Sequence, residues 1–317
     1  MPLTQTTVAV NDLGIKIAGK VLENLYAGNF TPVGYVVNAD YQGFSTDTFT
    51  VGITRINRPG GATRTIGAQV NGGFFNTTNV KTPTNTTVPM FMDRLYDQVF
   101  DIPYSLEDSV PYSYVENIAS GIASEVGEQM GADTLLEMYN AVKGKATHLV
   151  KFGASGTGVY TDIFPALTKA NEILSEGDIT TGDRAFPASN RSLVATPEVF
   201  TELLNSNKFI LTGSDKAFST LESAYQGVNY ESFKGVIAGL AAFQAPSSLM
   251  PTSTAGKVLA FVDHPSAVTR AYYDRGVRAI PSPVGQGTRL QPYYRWGVKA
   301  VRPAGIVGIV SSDWAQS

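Results

Sequence analysis

"ITRINRPGGATRTIGAQVNGG", Ile53 to Gly73, is a stretch with almost nothing to bury. Arg55, Arg58 and Arg64 surround Pro59-Gly60-Gly61, and Lys81 adds a fourth positive charge. No Asp or Glu stands between Asp47 and Asp93. From Gly72 the chain continues as Thr- and Asn-rich "GGFFNTTNVKTPTNTTV", too polar to form a core. The flanks read differently. Phe49, Val51 and Ile53 alternate as a strand does, and Val88, Met90 and Met92 alternate again on the far side. Two such arms predict a hairpin with a long excursion between them. Loops beyond about 12–15 residues without structure of their own are uncommon and usually functional or disordered. The reading that fits is an excursion laid on a neighbouring subunit, where its arginines meet carboxylates.

C-terminal to the hairpin comes the longest helical pattern. Val115, Ile118, Ile122, Val126 and Met130 hold one face at spacings of three and four. Leu135, Met138 and Val142 resume it after a phase shift. Ser109 is a candidate cap, Pro111 suits the first turn and Gly144 the stop. At 1.5 Å per residue, residues 111–143 would span roughly 50 Å, the length of a strut rather than of a core helix. Gly121, Gly127 and Gly131 would each weaken it unless another backbone packs there. Glu116, Glu125 and Glu128 are spaced as its wet side.

The remainder alternates helices and strands. A short amphipathic helix is expected over 12–27, another over 161–178, and a third over 215–227. "RSLVATPEVFTELL" predicts a strand at Ser192–Ala195, Thr196 as cap and a helix led by Pro197. "FKGVIAGLAAFQAPSSLMP" reads as turn, buried strand and loop. "KVLAFVDHP" reads as a strand, "SAVTRAYY" as a helix, and "PYYRWGVKAVRP" with "AGIVGIVSS" as a strand pair hinged at Pro303-Ala304-Gly305.

Composition narrows the function classes. With 24 basic and 27 acidic residues the net charge is −3, so the whole chain is no nucleic-acid binder by electrostatics. There is no cysteine, which excludes disulfides and thiolate chemistry. The N-terminus has neither the basic start nor the apolar run of a signal peptide, and no apolar run is long enough to span a membrane. Charged residues make up 16%, against a usual quarter or so. Either extensive subunit contact or a Thr- and Gly-rich surface would account for that.

Candidate chemistry is sparse. His264 lies beside Asp263 and Ser266 in "VDHPS", but a nucleophile elbow of the G-x-S-x-G type is absent. "GASGTG", Gly153–Gly158, resembles a phosphate loop without its Lys, and a turn is the simpler reading. His148 and His264 are the only histidines, too few for a metal cluster of recognisable spacing, and no cofactor is expected. Basic residues cluster late: Arg270, Arg275, Arg278, Arg289, Arg295, Lys299 and Arg302 stand against Asp274 alone. They form an ion-paired or solvated face, or a surface for an acidic partner or packaged nucleic acid.

The order of these parts resembles the major capsid (coat) proteins of tailed bacteriophages, the Hong Kong 97 fold family. "VPMFMDRLYDQVFDIPYSLEDS" is similar to the return arm of that family's extended loop. "RSLVATPEVFTELL" and "GVIAGLAAFQAPSSLMP" are similar to parts of its axial domain, and "YYRWGVKAVRPAGIVGIV" to its closing strands. The resemblance implies an α+β fold. Its parts would be an N-terminal arm over 1–40, an extended loop over 41–103, the spine helix and part of the peripheral domain over 104–150, the axial domain over 151–255, and closing strands over 256–317. It implies a structural subunit, not an enzyme, in the icosahedral shell of a virion assembled in the host cytoplasm. Its partners would be further copies of itself in hexamers and pentamers, a portal, a decoration protein and packaged DNA.

Some relatives join a lysine of this loop to an asparagine near the chain's end. Lys81 could be one partner, but the last asparagine is Asn229, so noncovalent contact is expected. Barely 40 residues precede the hairpin, so a separate scaffolding protein is expected. Two other readings stay open: an α/β enzyme or nucleotide-binding protein using "GASGTG" and His264, and another virion component such as a tail or decoration protein.

Overall fold

A computed structural model describes residues 50–56, 85–96, 98–103, 112–154, 156–177, 185–205, 210–211, 233–253, 256–283 and 287–314. The helices expected over 12–27 and 215–227, Ser109 and most of the polar excursion lie outside these residues.

The two alternating arms pair as expected. β1 (Thr50–Ile56) and β2 (Asn85–Phe91) form an antiparallel hairpin in which Ile53 faces Val88 and Arg55 faces Thr86. The chain then supplies two short strands, β3 (Arg94–Tyr96) and β4 (Phe100–Pro103), to a second sheet. There they flank β14 (Gly287–Ala300), whose other edge pairs along its length with β13 (Val268–Pro281).

The long helical pattern is α1, Tyr112–Val142, whose 31 residues run roughly 46 Å. Its phase shift marks a handover between two sheets. Ile122, Val126 and Met130 pack with Tyr96, Leu290, Tyr294 and Trp296 of the long-strand sheet. Leu135, Met138 and Val142 pack instead on a nine-stranded sheet, against Val194, Phe243, Phe261 and Ile306. Thr134 stands at the joint, buried, its hydroxyl donating to the Met130 carbonyl at 2.7 Å.

The nine-stranded sheet runs β6 (Val159–Tyr160), β5 (Leu149–Phe152), β15 (Ile306–Ser311), β12 (Gly256–Asp263), β7 (Ser192–Ala195), β10 (Leu240–Gln244), β9 (Phe233–Ile237) and β8 (Ile210–Leu211). β11 (Thr252–Ser253) pairs with β12 outside that path. Both faces are covered. In β7 and β10, Val194, Ala241 and Phe243 turn toward α1. Leu193, Ala195, Leu240 and Ala242 turn toward α2 (Ile163–Glu176) and α3 (Pro197–Asn205). Strict alternation slips in β12 because a bulge falls between Val258 and Ala260.

Four local expectations need correction. "SAVTRAYY" is not a helix: after a single 3-10 turn, Pro265–Ala267, it runs on as β13. Its β-branched and aromatic residues alternate across a pleated sheet, and that period outweighs the helical reading. The last two strands do not pair with each other. β14 lies in the long-strand sheet, β15 lies between β12 and β5, and a 3-10 turn at Pro303–Gly305 carries the chain across. The sequence difference is visible in retrospect. β14 alternates buried and half-buried residues, whereas "IVGIV" is buried throughout, as a strand covered on both faces must be. "FKGVIAGLAAF" is a hairpin of two strands, turned at Ala238 and Gly239 with φ of 51° and 79°. Positive φ at both positions is what a two-residue hairpin turn requires. Lastly, Thr196 accepts the first α3 bond from the Phe200 amide at 3.1 Å, but its hydroxyl is buried without a partner and caps nothing.

Candidate functional site

Of the four loop residues singled out, the structure places only the backbone of Arg55, in β1. The Arg55 side chain, Arg58, Arg64 and Lys81 lie outside the described residues. What is described is the root of the hairpin. Ile53, Met90 and Met92 are buried with Ala271 and Val301, and Val88 and Tyr273 pack against them. This small cluster ties the hairpin to β13 and to the turn that follows β14. Between its two buried methionines, Phe91 is turned outward and is 57% exposed. Leu95 and Val99, further along the return arm, are exposed as well.

By register Arg278, Arg289 and Arg295 share one face of the long-strand sheet, while Arg270 is on the other, and several of them find partners within the chain. Arg289 makes a two-pronged ion pair with Asp101 of β4, at 2.7 and 2.8 Å. That carboxyl is held below the usual carboxylate range, chiefly by the Arg289 hydrogen bond. Lys299 reaches Glu137 of α1 at 3.1 Å, and the same carboxylate oxygen accepts the Ala300 amide. Arg295 donates to the Tyr293 hydroxyl at 2.6 Å and lies over that ring. Arg278 is exposed, Arg302 is half-buried, and the Arg275 side chain is outside the described residues. Arg270 stands opposite Val298 and is buried, its Nε and Nη1 without partners. Burial pulls its pKa down to about 10.

The carboxylates of α1 also depart from the sequence reading. Glu125 is not on a wet side: it accepts from the Tyr96 hydroxyl at 2.8 Å. The Tyr96 phenol is pushed up, first by burial and then by Glu125. Asp133 accepts from the Trp296 indole at 2.9 Å. Glu125, Asp133 and Glu137 therefore fasten α1 to the long-strand sheet, while Glu128 faces solvent. The Glu116 side chain is outside the described residues. Interleaved polar contacts of this kind were not legible in the sequence, because helix spacing alone does not say whether a carboxylate meets water or a buried donor.

The catalytic alternative finds no triad. His264 Nδ1 lies 2.8 Å from Ser266 Oγ and accepts the Ser266 amide at 3.2 Å. Asp263 does not complete the relay. Its Oδ1 accepts from Ser192 Oγ at 2.8 Å, on the neighbouring strand. A triad carboxylate has to orient the imidazole through its other nitrogen, and Asp263 is committed elsewhere. His264 is lowered from its ordinary pKa by burial, then by the positive charges of Arg191 and Arg302. Gly153–Gly158 joins β5 to β6, strand to strand, so no helix N-terminus stands behind it to hold a phosphate. Among the described residues no group of three or more His, Asp or Glu could hold a metal ion. No described helix is long and apolar enough to cross a membrane.

A two-faced mixed sheet, a second sheet of long strands, one strut helix spanning both and a hairpin rooted on the second sheet make an α+β fold that phage capsid structures share. Solved capsid structures match the chain nearly end to end. The capsid of Ralstonia phage GP4 aligns over 92% of this chain and 90% of that one, with a TM-score of 0.64 at 12% identity. The capsid of Cyanophage P-SCSP1u aligns over 90% and 89%, with 0.58 at 13%. The mature capsid of bacteriophage PhiM1 aligns over 88% of both chains, with 0.54 at 15%. At such identities the likeness is one of fold. No protein-family model matches the sequence, and no curated protein matches it.

Proposed function

We propose that this chain is the major capsid subunit of a tailed phage, assembling with further copies of itself into the closed shell around the genome. One observation carries the reading: the fold matches a phage capsid chain over 92% of the length, leaving no large part unassigned. Assembly is the whole of its activity, as many modest contacts summed over a closed symmetric array. The subunit contacts are noncovalent. The parts run as a capsid subunit's would: arm 1–40, extended loop 41–103, spine 104–150, axial domain 151–255 and closing strands 256–317. Arg55, Arg58, Arg64 and Lys81 carry the loop's contact with a neighbour.

The placement of the late basic residues supports a structural role for three of the seven. Arg289 and Lys299 are neutralised within the subunit, and Arg270 is buried. Arg278 and Arg302 remain for an acidic neighbour, or for nonspecific contact with packaged DNA.

The test is expression alone and with a scaffolding partner, followed by light scattering and negative-stain microscopy. Closed shells or capsomer rings are expected. Deleting Gly60 to Lys81 should then abolish the shells and leave the subunit folded. A monodisperse particle of 33.9 kDa under every condition would overturn the reading. Tubes would instead assign the fold to a tail component, and a chain that only binds onto another shell to a decoration protein.

A further inference from the structure

The return arm meets the body at one place where no side chain intervenes. Gly297 stands in β14, within the run "RWGVKA". A Cβ there would overlap the Phe91 carbonyl oxygen, and would lie 2.9 Å from the Phe91 carbonyl carbon and 3.0 Å from Met92 Cα. Main chain therefore rests on main chain. Glycine inside a strand sacrifices packing and is expected where another backbone comes close. Its cross-strand partner is Ala271, also small, so the two residues side by side make a shallow seat in the sheet. Met90 and Met92 fill the space around it, both buried.

We propose that Gly297 and Ala271 form a seat that sets the direction in which the β1–β2 hairpin leaves the body, positioning the extended loop before any neighbour is met. The effect on assembly rests on the shell-subunit reading; the seat itself does not. Leverage makes the seat matter. A tilt of about 10° at the root carries the far end of a strand roughly 23 Å long by about 4 Å. That displacement exceeds the tolerance of a hydrogen bond or ion pair, so contacts at the loop's tip depend on the angle at its base. Gly297 is thus a positioning residue, acting through the hairpin.

The experiment uses the full chain with Gly297→Ala, read by amide hydrogen exchange, urea unfolding and light scattering with microscopy. Overpacking the seat should speed exchange of the β1 and β2 amides about tenfold or more while β7, β12 and β15 stay protected. Shells should be lost or become irregular in diameter. Should Gly297→Ala fail to fold, Met90→Ala opens the same contact from the hairpin side, leaves β14 intact and is expected to give the same pattern. Wild-type exchange in β1 and β2 of a folded variant would overturn the seat. A loosened hairpin with shells of wild-type diameter would overturn its role in assembly. If the wild-type chain forms no shells, the shell reading fails while the exchange result still decides the seat.

Discussion

Asp263 ends β12 in the middle of the nine-stranded sheet with no exposed surface. Ser192 donates to Oδ1 at 2.8 Å, and Oδ2 meets no partner. Arg191, adjacent to Ser192, brings no counter-charge. Its guanidinium is spread over Asn171, Ser175 and the carbonyls of Phe186 and Pro187. Burial accordingly raises the Asp263 carboxyl well above its usual range, outweighing the Ser192 bond that lowers it. The native state thus keeps a proton that the unfolded chain releases above about pH 4. Stability from this site is complete below the unfolded value and is lost as pH rises through the folded one, at up to about 1.4 kcal/mol per pH unit. Asp263→Asn preserves the oxygen that Ser192 addresses and removes the titration. Urea unfolding of both chains from about pH 5 upward should show the difference moving in the variant's favour until the folded carboxyl itself ionises. His264, Arg191 and Arg302 titrate or stay charged in both chains, so their direct contributions cancel in the difference. A difference that does not change with pH would refute the argument, because the carboxyl would then be ionised inside the sheet.

Arg270→Met keeps the length of the side chain and removes two donors that are buried without partners. At about 1–3 kcal/mol per unsatisfied group, the subunit should gain roughly 2 kcal/mol in urea unfolding; a loss of stability would place an anion beside the guanidinium. Ala238→Asn relieves the positive φ of 51° in the β9–β10 turn, and the thermal midpoint should rise by the equivalent of about 0.5–1 kcal/mol. Phe91→Ser alters an exposed ring between two buried methionines, so stability should change by less than about 0.5 kcal/mol. The yield of shells by sedimentation should nonetheless fall.

Period and order made much of the architecture legible. The β1–β2 arms, α1, α2 and the β7–α3 unit each show a local pattern that agrees with the packing they enter, and their succession points to the fold class. What escaped was whatever depends on who faces whom. The alternation of "SAVTRAYY" fits a helix turn or a strand when read alone, and only the full-length pairing with β14 decides it. Gly297 carried a signal, an isolated glycine inside a strand pattern, but the backbone it accommodates lies some 200 residues earlier in the chain. The late basic cluster misled in the opposite sense. Arg289 and Lys299 find acidic partners on β4 and α1 and Arg270 is buried, so their count overstates any open positive surface.

The scarcity of charge can be traced further on the same ground. Three of the carboxylates on α1 turn inward to Tyr96, Trp296 and Lys299, and two late basic residues are spent on partners in the same subunit. Meanwhile three of the large apolar side chains that stay exposed, Phe91, Leu95 and Val99, lie together on the return arm. A monomer gains nothing by holding aromatic and aliphatic groups on a segment whose neighbouring residues are anchored this firmly by Met90 and Met92. A chain that assembles with further copies of itself, as proposed above, would gain, because an anchored segment would present those groups to the next copy at a fixed angle. On the proposal made above, the seat at Gly297 would set the angle at which they are presented.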